Sequence, residues 1–255
     1  MSKIQLVMKA VNFLILFILF LDFQGLAQKS SFKSSDPHPR VKSMTEKHFL
    51  INADQEPGEQ LILSHYYENS FDSFGNRIQD MVYDSAGNLI KVYKYYNTGN
   101  LRNKLELTDE SGKLMRTIEY VYNEDGLLEY DQSYDGDGKP DKRFVYSYDD
   151  KGKVREDYSY HNGNEFHMKF TYTYNFKNEV DRNFRFDNQG NLLEIRNYTY
   201  DQQGNIISER VSDKDGNLIQ TTTFQYVYDR KNNWTEKTIH KTGKPVILVK
   251  RELVY

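Results

Sequence analysis

The feature that most constrains this chain is a repeated turn signature: an aromatic residue, Asp or Asn, two variable residues, Gly, then Asn or Lys. Clear copies are Phe71-Asp72-Ser73-Phe74-Gly75-Asn76, Tyr83-Asp84-Ser85-Ala86-Gly87-Asn88, Tyr148-Asp149-Asp150-Lys151-Gly152-Lys153, Phe186-Asp187-Asn188-Gln189-Gly190-Asn191 and Tyr200-Asp201-Gln202-Gln203-Gly204-Asn205. With degenerate copies included, the aromatic position or its equivalent falls at 71, 83, 96, 108, 122, 134, 148, 160, 174, 186, 200, 212, 228 and 240. Short steps of 12 alternate with longer ones, mostly 14, so the unit is a pair of strands about 26 residues long. Tyr96, Tyr122, Tyr148, Tyr174 and Tyr200 stand 26 residues apart, and seven units account for the region from Phe71 onward.

Each part of the signature has a physical role. The Asp or Asn side chain accepts a hydrogen bond from a backbone N–H two positions on and starts the reversal. Gly supplies the positive φ needed where a type I turn is completed by a bulge. Asn178 and Asn232 replace it, and Asn is the non-glycine residue that best tolerates that region. Seven to nine residues remain for each strand, roughly 25–30 Å at about 3.4 Å per residue.

Period-two alternation agrees with strands. Phe144, Tyr146 and Tyr148 fall on one face, with Arg143, Val145 and Ser147 on the other. Met168, Phe170, Tyr172 and Tyr174 oppose Lys169, Thr171 and Thr173, and Phe224, Tyr226 and Tyr228 oppose Thr221, Thr223 and Gln225. One face is aromatic, and the other is polar and suited to water.

The expected fold is therefore all-β: tandem antiparallel β-hairpin repeats forming a curled meander or a β-spiral (solenoid) that covers its own aromatic face. An outer-membrane β-barrel is the competing architecture, since the strand count is even and the chain begins like an exported protein. Charges at mid-strand weigh against it: Glu194 and Arg196 share a face with Leu192 and Tyr198, Arg182 lies between Val180 and Phe184, and Glu209 lies between Ile207 and Val211.

Lys3 and Lys9 precede an apolar run from Phe13 to Leu21, followed by Gly25-Leu26-Ala27. This is the layout of a secretory signal peptide over residues 1–27, with cleavage expected after Ala27. The run is short for a hydrocarbon core of about 30 Å, so the expected product is exported and not membrane-spanning after cleavage, in the periplasm, at the outer surface or outside the cell. Residues 28–60 form a polar spacer containing Ser34-Ser35-Asp36-Pro37-His38-Pro39 and Glu56-Pro57-Gly58, and 61–255 the repeat domain. Lys47 to Ala53 and Leu61 to Tyr67 are apolar enough to cap the array. Losing two lysines and one aspartate with the leader takes the formal charge from −3 to −4. That balance, with no basic block, argues against nucleic acid as a partner. The chain has no Cys, which excludes disulfides, thiolate catalysis and thiolate metal sites.

Tyr83-Asp84-Ser85-Ala86-Gly87-Asn88-Leu89 and Tyr200-Asp201-Gln202-Gln203-Gly204-Asn205-Ile206 resemble the YD repeats of Rhs and teneurin-like proteins, over Phe71 to about Lys244. The chain looks closest to the short exported YD-like repeat proteins of Bacteroidetes-type bacteria. The resemblance implies a β-spiral and, for surface proteins bearing such repeats, binding of carbohydrate or partner cells. Family repeats more often carry Arg after the Gly, where this chain has Asn or Lys.

Catalytic signals are weak. There is no Gly-x-Ser-x-Gly, and His38, His48, His65, His161, His167 and His240 are scattered without the spacing of a zinc site. No catalytic, metal or cofactor-binding residue is expected, and no cofactor. Asp135-Gly136-Asp137-Gly138-Lys139-Pro140-Asp141 has the alternating carboxylates of a calcium loop, but Tyr146 stands where a twelfth-position Glu is needed, so a hairpin turn is the better reading. Asp213-Lys214-Asp215-Gly216 is a weaker case of the same pattern. The 21 Tyr and 15 Phe serve mainly as core, with Trp234 the first residue to test for exposure. The expected function is a non-enzymatic structural or binding module of the cell envelope whose partner is a glycan or an envelope protein. A carbohydrate-processing enzyme or accessory is the alternative of a different class.

Overall fold

Residues 37, 41–52 and 61–255 are described by a computed structural model. The leader through Ala27, most of the spacer and His38 lie outside the described residues. The described residues form sixteen strands, beginning with β1 (Ser43–Ile51), β2 (Leu61–Phe71), β3 (Arg77–Asp84), β4 (Leu89–Thr98) and β5 (Leu101–Asp109). They continue with β6 (Leu114–Tyr122), β7 (Leu128–Asp135), β8 (Pro140–Tyr148), β9 (Val154–His161), β10 (Glu165–Tyr174) and β11 (Val180–Phe186). The last five are β12 (Leu192–Tyr200), β13 (Ile206–Asp213), β14 (Leu218–Tyr228), β15 (Trp234–Lys241) and β16 (Lys244–Val254).

Every strand pairs antiparallel with its neighbours in sequence, and β1 also pairs with β16, from Ser43 opposite Val254 to Leu50 opposite Ile247. The meander therefore closes into a barrel. This corrects the expectation of a spiral or solenoid: a spiral needs a free leading edge, whereas here the twisted sheet coils until its first strand meets its last. It also reassigns the segments expected to cap the array. Lys47 to Ala53 falls largely in β1 and Leu61 to Tyr67 in β2, two full strands that bring the fourteen read from the turns to sixteen. Closure leaves no edge strand to pair with another chain.

The turns form as their residues dictate. In the turn over 72–76, Asp72 Oδ1 accepts from the N–H of Phe74 at 2.9 Å and of Asn76 at 2.8 Å, and Asn76 Nδ2 donates to Asp72 Oδ2. The same pattern recurs at Asp84, Asp187 and Asp213. Gly75 has φ 82°, and Asn178 and Asn232 take φ 62° and 61° in its place, as read from the sequence. A register shift beside these turns marks the bulge that completes them.

The aromatic face is the inner one. Tyr146, Asp157, Asn183, Tyr198 and Val249 are buried and belong to the row that points into the barrel. Hydrophobic packing is broken into separate clusters: Val41, Met44 and Phe71 at one end of the seam, Leu105, Ile118 and Tyr120 in the wall, and Trp234, Ile247 and Val249 near closure. Facing inward, Glu194, Arg196 and Glu209 have no bearing on what surrounds the barrel, so that part of the sequence argument does not hold. Arg196 bonds to both Glu194 and Glu209. Arg182 does point outward, with more than half of its side chain exposed.

Candidate functional site

Two ladders of tyrosine hydroxyls organise the inner wall. In the first, Tyr122, Tyr148, Tyr174, Tyr200 and Tyr226 each donate to a backbone carbonyl 20 residues back, on Arg102, Leu128, Val154, Val180 and Ile206. Those residues lie at strand starts, where each pairs with the preceding strand but precedes the stretch paired with the following one, and the phenols supply donors there. One step earlier the place is taken by Asn97, whose Nδ2 donates to the Arg77 carbonyl at 3.1 Å. Tyr96, counted from the sequence as the first of the 26-residue row, instead faces out and bonds Glu106. The frame slips by one residue there, because the β4–β5 connection is a shorter turn at Gly99.

The second ladder joins phenols to carboxylates 15 residues back: Tyr95 to Asp80 at 2.6 Å, Tyr146 to Asp131 at 2.5 Å and Tyr172 to Asp157 at 2.5 Å. Asp80 also receives Arg77 at 2.8 Å and Asn69 at 2.7 Å. Asp131 and Asp157 have no such cation. Burial raises both to about 7, and the tyrosine bond only partly opposes it. The equivalent Tyr120 faces Leu105, and its buried hydroxyl, beside Arg102, makes no well-formed hydrogen bond. Sequence reasoning missed these rungs, although Asp131 and Asp157, like Tyr146 and Tyr172, are one 26-residue unit apart.

At the seam, Arg251 donates to Glu46 at 2.6 Å and lies 3.3 Å from the centre of the Trp234 ring. Glu46 also holds His48 at 2.8 Å, and His48 stacks on His65 at 4.5 Å. Glu46 is held well below the usual carboxylate range because Arg251 and His48 outweigh the cost of burial. His65 is pushed down to about 3, first by burial and then by the positive charge of His48.

Trp234, the residue singled out to test for exposure, is only 6% exposed: it is packed between the seam arginine and the cluster around Ile247. In the segment from Asp135 to Asp141, Asp135 is occupied by the N–H groups of Asp137 and Lys139, and Asp141 pairs with Arg116 at 2.9 Å. Asp213 is likewise committed to its turn. Among the described residues, no three metal-ligating side chains come together.

The outer face carries a second aromatic arrangement. Register places Tyr130, Val145, Tyr158, Lys169 and Phe186 side by side across β7 to β11, a row about 19 Å long at the usual strand spacing. Arg143 covers Tyr130 at 4.2 Å, Lys169 covers Phe186 at 4.9 Å, and Phe166 packs between Tyr158 and Tyr160. Around the rest of the outer wall, Lys47 meets Glu252 and Lys104 meets Glu106, each at 2.8–2.9 Å.

No family model matches the chain, and no curated protein matches it. Among solved structures, a porin-like protein from Bacteroides uniformis superposes with a TM-score of 0.57 at 12% identity, over 86% of this chain and 99% of that one. At that identity the likeness is one of fold. A Tc holotoxin pore from Photorhabdus luminescens overlaps 82% of this chain and 11% of its own at 15% identity, with a TM-score of 0.33 too low to build on.

Proposed function

We propose that this chain is a non-enzymatic exported barrel of the cell envelope, in water, that holds a glycan or an envelope protein on the outer aromatic row. The observation that carries this is the Tyr130–Tyr158–Phe186 row with its covering Arg143 and Lys169: flat rings with polar edges, flanked by cations, spanning five strands of a rigid wall. The buried carboxylates support the non-enzymatic part, because Asp131 and Asp157 are shut inside and engaged by tyrosines. Screening folded protein against envelope glycans and envelope extracts tests it. Saturable binding that falls at least about tenfold in Tyr158→Ser and Phe166→Ser is expected. No saturable ligand, or binding indifferent to both changes, overturns it.

The even-stranded closed barrel favours one other reading, a transmembrane barrel. It requires outward charges such as Lys104, Glu106, Arg182 and Lys250 to face hydrocarbon, at about 2–4 kcal/mol for each cation near the midplane. Flotation with lipid vesicles separates the two, and the aqueous barrel stays in the dense fraction.

A further inference from the structure

On the inner face, four consecutive strands bring basic groups together near the end of the barrel where β7 turns into β8. Lys142 on β8 lies opposite His161 on β9. His167, on β10, sits where the register slips between Phe166 and Met168, and its ring lies 4.1 Å from that of His161. Arg185, on β11, faces inward opposite Phe170. The bulge matters: strict alternation would send His167 outward with Lys169, and the extra residue turns it in beside His161.

We propose that Lys142, His161, His167 and Arg185 form a binding site for an oxyanion of phosphate size, free or as the end group of a larger ligand. Four cationic or protonatable groups share this end of the inner face, with the charges of Lys142 and Arg185 both felt at His167, and three carboxylates nearby each hold another partner. Asp141 holds Arg116 at 2.9 Å. Glu194 holds Arg196 at 2.5 Å and Arg185 more loosely at 3.3 Å. Glu165, opposite His161, accepts from Asn162. Arg185 also has a buried Nε–H with no acceptor. Burial, and then the charges of His161, Lys142 and Arg185, hold the His167 imidazole below its ordinary value. An anion between the rings removes that repulsion, so binding takes up protons and strengthens as the pH falls.

The site lies on the opposite side of the wall from the outer aromatic row, so it stands or falls independently of the glycan reading. Inorganic phosphate is titrated into the folded protein at constant ionic strength, following the imidazole NMR signals, with chloride as control. Saturable shifts of His161 and His167 are expected, with affinity at least about tenfold tighter at pH 6 than at pH 8. His161→Gln with His167→Gln should weaken binding by at least about tenfold at unchanged circular dichroism. If that pair does not fold, Lys142→Gln must give the loss, whereas Tyr158→Ser must not. Vesicles of phosphatidylglycerol distinguish the source. Binding of both points to a headgroup, and binding of phosphate alone points to a small soluble anion. Shifts matched by chloride, binding retained in the variants, or saturation by zinc but not by phosphate would overturn the proposal.

Discussion

At the scale of single residues, the inner wall offers a controlled comparison between tyrosines in equivalent places. Tyr146 donates to buried Asp131, while Tyr120, one unit earlier, has no well-formed partner. Tyr146→Phe leaves a buried carboxyl without its donor and should cost about 1.5–3 kcal/mol in denaturant unfolding at pH 8, whereas Tyr120→Phe should change stability by less than about 0.5 kcal/mol or improve it. The carboxylates themselves set a pH dependence. Asp131 and Asp157 are raised to about 7 in the fold from an ordinary value of 3.8, so the folded state binds the extra protons. Their stabilisation is complete below about pH 4 and is lost as the pH rises towards 7. His65, pushed down to about 3, works in the other direction, losing stability as the pH falls below 6.5. The difference between proteins isolates the pair: Asp131→Asn with Asp157→Asn keeps an acceptor for each tyrosine, and should exceed the parent in stability at pH 8 and lose that advantage by pH 4.

At the scale of the element, the hairpin is the unit that the sequence spells out. Its Asp, Gly and Asn positions appear in the structure with the bonds and the φ values their chemistry requires, because a tight turn is decided within five residues. Gly190 has φ 84°, so Gly190→Ala should cost about 1–2 kcal/mol, while Asn178→Gly, at φ 62°, should gain roughly 0.5 kcal/mol. Thermal unfolding of the two variants measures both. The alternation of faces was equally legible, and it places Phe144, Tyr146, Phe170 and Tyr172 inside. What escaped were residues at irregularities that the 26-residue period does not contain. Tyr96 was counted into a row whose true member is Asn97, and His167 reaches His161 only because a bulge breaks the period. A pattern read at a fixed step cannot register an added residue that the partner strand does not share.

At the scale of the whole molecule, closure was legible only as the competing barrel reading raised by the even strand count, since it rests on pairing between segments 205 residues apart, such as Glu46 with Arg251. Bringing such distant segments together costs about 5 kcal/mol of chain entropy, and nothing local advertises the contacts that repay it. β1 and β2 carry none of the turn signature between them, so they read as a cap. The seam pair is also where closure is most vulnerable. Glu46→Gln removes the carboxylate charge that buried Arg251 meets at 2.6 Å across the seam and should cost about 3–5 kcal/mol in denaturant unfolding. A chain lacking 1–60 loses β1, exposes the edges of β2 and β16, and should associate on size-exclusion chromatography where the full barrel does not. Antiparallel closure of β1 on β16 has a further consequence for how such proteins differ in girth. One added or lost strand would leave the first and last strands pointing the same way and spoil the seam, so diameter can change only by whole hairpins. A gene built on this plan would grow or shrink in increments of about 26 codons, each widening or narrowing the barrel by two strands while preserving the ends that meet.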